Sequence, residues 1–96
     1  MNENLKNAFK KEIKEITDLG YNDINIKNIE ANLENNFHSH EFDAYALVIE
    51  GQFIVNDQKK EYILNPGDKI EVKAKQIHSE KTRNSGAKIL IGKKNL

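Results

Sequence analysis

Residues 44–75 read AYALVIEGQFIVNDQKKEYILNPGDKIEVKAK, and this stretch decides the fold class. Ala44–Glu50 is a continuous apolar strand that ends at Gly51. Gln52–Val55 is a second short strand, and Asn56-Asp57-Gln58 after it is a hairpin-type turn. Glu61–Leu64 follows. Asn65-Pro66-Gly67-Asp68 then turns the chain, with Pro66 fixing φ, Gly67 supplying φ > 0 and Asp68 placed to cap backbone N–H groups. Lys69–Lys75 alternates, with Ile70, Val72 and Ala74 on one face and Lys69, Glu71, Lys73 and Lys75 on the other. That pattern predicts a half-buried strand beside solvent.

Outward from this block the same pattern continues. Ile77–Arg83 is another strand, Asn84-Ser85-Gly86 a turn, and Ala87–Ile91 a further strand. On the other side Ile24 and Ile26, then Ala31 and Leu33, mark extended chain. About seven short strands at close spacing, with no helical period between them, predict an all-β antiparallel sandwich or barrel. Phe53, Ile54 and Val55 are expected in its core. Residues 1–20 differ. Leu5, Ala8, Phe9, Ile13, Ile16 and Leu19 recur at helical spacing, Asn2 or Asn4 can cap the start, and Gly20 stands at the stop. The expected organisation is one domain, with an N-terminal helix over 1–20 packed on a β unit over 21–96.

Composition narrows the chemistry. The chain has 96 residues, no cysteine, and 15 Lys+Arg against 15 Asp+Glu. No cysteine means no disulfide framework and no thiolate ligand or nucleophile. Zero net charge offers nothing to nucleic acid or an anionic membrane surface. In the helix, Lys6, Lys10, Lys11 and Lys14 are offset by Glu3, Glu12, Glu15 and Asp18, so that stripe is read as core-facing and not as a membrane anchor. The longest apolar run, Ala44–Ile49, is far short of the ~20 residues that span a bilayer. Residues 1–4 lack the order of a signal peptide, so the expected location is cytoplasmic.

Chemistry near neutral pH then rests on carboxylates and on three histidines. His38-Ser39-His40 would place both imidazoles on one strand face. Such a pair suits either a solvated strand edge or two ligands of one metal. His78 lies on a later strand that an antiparallel barrel could bring opposite them, and Glu80 shares its face. Phe42 has the parity of His40. Tyr45 and Tyr62 could supply hydroxyls to a pocket.

From about Asn36 to Gly92 these residues resemble the cupins, small antiparallel barrels of the jelly-roll type. The first cupin motif is matched by His38-Ser39-His40, then Glu41-Phe42-Asp43, then Ala44 where the motif has Glu, then six residues and Gly51. The second is matched by Gly67, five residues, Lys73-Ala74-Lys75 where the motif has Pro-x-Gly, then Gln76-Ile77 and His78. Thr82 stands where Asn is common. The pattern is similar to that of compact, single-domain bacterial cupins.

The resemblance implies that His38, His40 and His78 are metal ligands. It implies a divalent transition metal (Fe, Zn, Ni, Mn or Cu) and a small-molecule ligand in the barrel. Ala44 removes the usual fourth ligand, so Glu80 becomes the candidate replacement and the candidate catalytic carboxylate. Asp43, an acid inside an apolar strand, needs a partner of its own: it either bonds backbone or orients a ligand imidazole from outside the ligand set. The implied function is a metal-binding cupin, either a dioxygenase- or isomerase-like enzyme, a non-enzymatic ligand-binding barrel, or a structural dimer with a vestigial site. A homodimer is the expected assembly.

Overall fold

The computed structural model describes residues 7–95, with side chains over 7–94. The proposed caps Asn2 and Asn4, with Leu5, lie outside the described residues. One helix, α1 (Lys10–Asp18), precedes six strands: β1 (Asp23–Ile29), β2 (Glu34–His38), β3 (Phe42–Asn56), β4 (Glu61–Leu64), β5 (Lys69–Val72) and β6 (His78–Asn95). The all-β antiparallel expectation with an N-terminal helix holds. No helix among the described residues is long and apolar enough to cross a membrane.

Two long strands organise the sheet. β3 and β6 pair antiparallel along nearly their whole length, from Phe42↔Asn95 to Asn56↔Ser79. The first half of β3 carries β5 on its free edge, and the second half carries β4. On β6 the order is reversed, with β2 on its first part and β1 on its second. The sheet therefore has two four-stranded halves, β5-β3-β6-β1 and β4-β3-β6-β2, that share the same central pair.

The join between the halves corrects two sequence expectations. Gly51 does not end a strand, and Asn84-Ser85-Gly86 does not turn the chain. Instead β3 and β6 run through, with register shifts at Val48/Glu50 and Gly51/Phe53. Gly51 (φ +77°) and Gly86 (φ +66°) take the left-handed backbone there. Ile49 and Gln52 on β3 and residues 83–86 on β6 are left out of the register there, and such bulges bend a strand without breaking it. A Cβ on Gly51 would lie 2.2 Å from the Gly86 carbonyl oxygen. The two backbones thus touch at the bend.

Each half has an inner and an outer face. The inner faces enclose Ala46, Val48, Phe53, Val55, Leu64, Ala87 and Ile89. The outer face of the β1 half meets α1, where Ile16, Tyr21, Tyr45 and Leu90 are buried together. Tyr45 therefore does not supply a hydroxyl to the cavity. Tyr21 is fully buried, and its hydroxyl donates to Glu71 Oε2 at 2.7 Å. That bond, more than any other influence, holds the Glu71 carboxyl below the usual carboxylate range. Thr82 ties the β2 side down: its Oγ1 donates to the Glu30 carbonyl at 2.6 Å and accepts the Leu33 N–H at 3.0 Å.

Candidate metal centre

The register brings the histidines together. His38 is the last residue of β2 and pairs directly with His78, the first residue of β6. Directly opposed residues in an antiparallel ladder share a face at close range. His40 lies just beyond the end of β2 rather than inside a strand. The three ring centroids are 4.5 Å (His38–His78), 4.9 Å (His38–His40) and 5.2 Å (His40–His78) apart. Two residues after His78, Glu80 points the same way. Its Oε1 lies 2.8 Å from His38 Nε2 and 3.3 Å from His78 Nε2. One donor atom from each of His38, His40, His78 and Glu80 lies within 4.8 Å of the others, so this cluster could hold a metal ion.

The outer nitrogens of two rings are already committed. His38 Nδ1 is 2.6 Å from the Asn36 carbonyl oxygen, and His78 Nδ1 is 3.0 Å from that of Gln76. A carbonyl only accepts, so each Nδ1 carries the proton and donates. Both Nε2 atoms then turn toward Glu80. A metal ion bound here would be held by the Nε2 lone pairs of both rings and by the Glu80 carboxylate. Backbone carbonyls that fix the tautomer from behind are the usual support of metal-bound imidazole. His40 stacks on Phe42, centroids 4.8 Å apart and planes 14° from parallel. Burial, and then the neighbouring His38 and His78, hold the His40 pKa below its ordinary value. That favours the neutral ring a ligand must be.

Of the two roles open to Asp43, the structure shows the backbone bond. Asp43 lies on the opposite face of β3 from Phe42 and Ala44, and its Oδ1 accepts the Ala74 N–H at 2.8 Å. The orienting role falls to the carbonyls of Asn36 and Gln76, which no side-chain pattern could announce. Asp43→Ala should leave zinc uptake unchanged. It should cost about 1–3 kcal/mol in thermal or urea unfolding, because it strands a part-buried N–H.

The loop that replaces Pro-x-Gly keeps its shape by other means. Lys75, at the Gly position, holds φ +67°, a conformation that costs a side chain roughly 1–2 kcal/mol. Its N–H donates to the His40 carbonyl at 2.7 Å, which ties this loop to the ligand loop. Lys73 and Lys75 are both exposed, away from the cavity.

The cluster opens into a cavity of about 190 Å³ between the two halves of the sheet. Ala44, in place of the expected glutamate, lines it with a methyl group, and Ala46, Phe53, Val55, Ile70 and Val72 continue the apolar wall. Lys27 and Lys93 also line it, and the sequence reading passed over both. The signal was present for Lys93, which continues the inward alternation of Ile89 and Ile91.

No protein-family model and no curated protein matches the sequence. Solved structures do match the fold. A Rhizobium leguminosarum bv. viciae 3841 protein of unknown function superposes with TM-score 0.71 at 14% identity, over 76% of this chain and 69% of that one. The DMSP lyase DddQ of Ruegeria pomeroyi DSS-3 gives TM-score 0.67 at 18% identity, over 75% of this chain but only 37% of the lyase. A cupin-2 domain protein of Shewanella frigidimarina gives 0.61 at 22% identity, over 73% and 69%. At these identities the likeness establishes the architecture, and the fold is the cupin fold.

Proposed function

We propose that this chain is a metal-binding cupin-fold protein in which His38, His40, His78 and Glu80 hold one divalent transition ion beside a small-molecule cavity. One observation carries the reading: His38 and His78 each give Nδ1 to a backbone carbonyl and turn Nε2 to the same Glu80 oxygen. Imidazole and carboxylate suit Fe(II), Zn(II), Ni(II), Mn(II) or Cu(II). A bound ion of this kind supplies Lewis acidity and open positions for a substrate or water. The chain's own residues position it: the β2–β6 pairing sets two rings, and Phe42 sets the third. The apolar wall keeps the ligand's surroundings dry.

Glu80 stands in for the missing carboxylate at Ala44 but arrives from a different strand. Glu80→Gln should weaken Zn(II) affinity about 10- to 100-fold in a chelator competition, since the neutral amide is a poor ligand. Unchanged affinity would remove Glu80 from the ligand set.

Metal-dependent turnover of a small molecule, dioxygenase- or isomerase-like, is the enzymatic form of this proposal, with Glu80 as its proton carrier. A ligand-binding barrel without turnover is the second form. It is favoured by the fact that Glu80, the one carboxylate lining the cavity among the described residues, is already engaged by two imidazoles. Turnover that disappears with the metal decides between them.

A further inference from the structure

Two lysines that the metal site does not use line the cavity, Lys93 half-buried and Lys27 with its side chain exposed at the edge. Lys93 faces inward from β6 opposite Ala44. Its Nζ lies 5.0 Å from the centroid of the Phe42 ring, and that ring stacks on His40. Aromatic contact of this kind holds an ammonium near one place at small cost. Lys27 lines the same cavity from β1, opposite Ile89. Among the described residues neither lysine has a carboxylate within ion-pair reach. Asp23 faces Lys93 across the β1–β6 ladder, but it does not line the cavity and makes no ion pair with Lys93.

The charges in the cavity therefore do not cancel. Among the described residues Glu80 is the one carboxylate lining it, and it is engaged by His38 and His78. A divalent ion there would add to the two ammonium charges. A concave site of one sign with low-dielectric walls concentrates ions of the other sign. The rest of the wall is aliphatic and aromatic. The volume of about 190 Å³ equals that of roughly six waters at ~30 Å³ each. That is room for a short carbon chain, below the size of a drug-like ligand.

We infer that the cavity takes a small aliphatic carboxylate, its acid group on Lys93 and its carbon chain along the apolar wall. This assignment names the ligand class of the site proposed above and rests on that reading.

Butyrate and its uncharged isostere butyramide are the probes, titrated calorimetrically into zinc-loaded and metal-free protein. Wild-type protein should prefer butyrate by about tenfold or more, as a charge-assisted contact requires. Lys93→Met keeps the aliphatic stem and should bring the two probes within about twofold of each other, with zinc stoichiometry unchanged. Lys93→Arg should restore the preference. Equal binding of the two probes to wild type would overturn the inference. So would a preference that survives in Lys93→Met, because the acid would then sit on the metal. Failure of zinc uptake would defeat the metal reading separately. In that case the metal-free arm still decides the lysine assignment: a Lys93-dependent preference for butyrate supports it, and no preference overturns it.

Discussion

His78→Ala is expected to lower Zn(II) affinity by at least about 100-fold, the upper end of what losing a mere supporting residue costs. His78 is the most enclosed of the cluster, its side chain only 4% exposed against 31% for His38 and 23% for Glu80. It is also the cross-strand partner of His38, so its ring fixes the spacing of the other donors. Removing it leaves His38 at the end of β2, His40 just beyond it, and Glu80 as the one donor from β6. Competition against a chromophoric chelator measures the affinity, and circular dichroism confirms that the variant keeps its sheet. Wild-type affinity in a folded His78→Ala protein would mean the metal is held elsewhere.

Gly51→Ala is expected to be the most damaging single methyl in the chain for stability. The new Cβ would stand 2.2 Å from the Gly86 oxygen and 3.0 Å from Ala87 Cα, backbone on both counts, at φ +77°. Left-handed strain and a backbone clash together should cost on the order of 3–4 kcal/mol. For a domain of this size that is a fall of roughly 15–25 °C in Tm. Gly67→Ala is the control. Gly67 also has positive φ (+93°), but a Cβ there meets nothing within 4 Å. Its cost should stay near ~1–2 kcal/mol, the conformational part alone. If Gly51→Ala unfolds no more easily than Gly67→Ala, the contact between the bent strands does not hold the two halves together.

The parts legible in the sequence are those set by local periodicity. The alternation over Lys69–Lys75 placed Ile70 and Val72 on the cavity wall, although the strand stops at Val72, and Pro66-Gly67 marked its turn. His78 and Glu80 were readable because a spacing of two in a strand puts side chains on one face; His38-Ser39-His40 was readable as a motif, though His40 lies beyond the end of β2. What escaped depends on contacts distant in sequence. Gly51 and Gly86 looked like strand ends, because a bulge and a turn use the same residues. Only the register of β3 against β6 separates the two. Tyr21 left no periodic trace, yet it is fully buried where α1 meets the sheet. Asp43 drew notice as an acid inside an apolar strand. Its partner is a backbone N–H 31 residues away, which composition does not reveal. The absent motif glutamate at Ala44 was visible at once. That Glu80 contacts both rings across the ladder needed the structure.

The central claim is that the imidazoles of His38 and His78 present Nε2 to a shared cation while Nδ1–H is held by backbone carbonyls. Long-range 1H–15N spectra of the ring nitrogens, taken before and after one equivalent of Zn(II), test it directly. The chain contains three histidines, so every ring in the spectrum belongs to the site. All three rings should shift at stoichiometric zinc, with His38 and His78 fixed as Nδ1–H tautomers bound through Nε2. Ring nitrogens that do not respond to zinc, or zinc found on Nδ1 of His38 or His78, would contradict it.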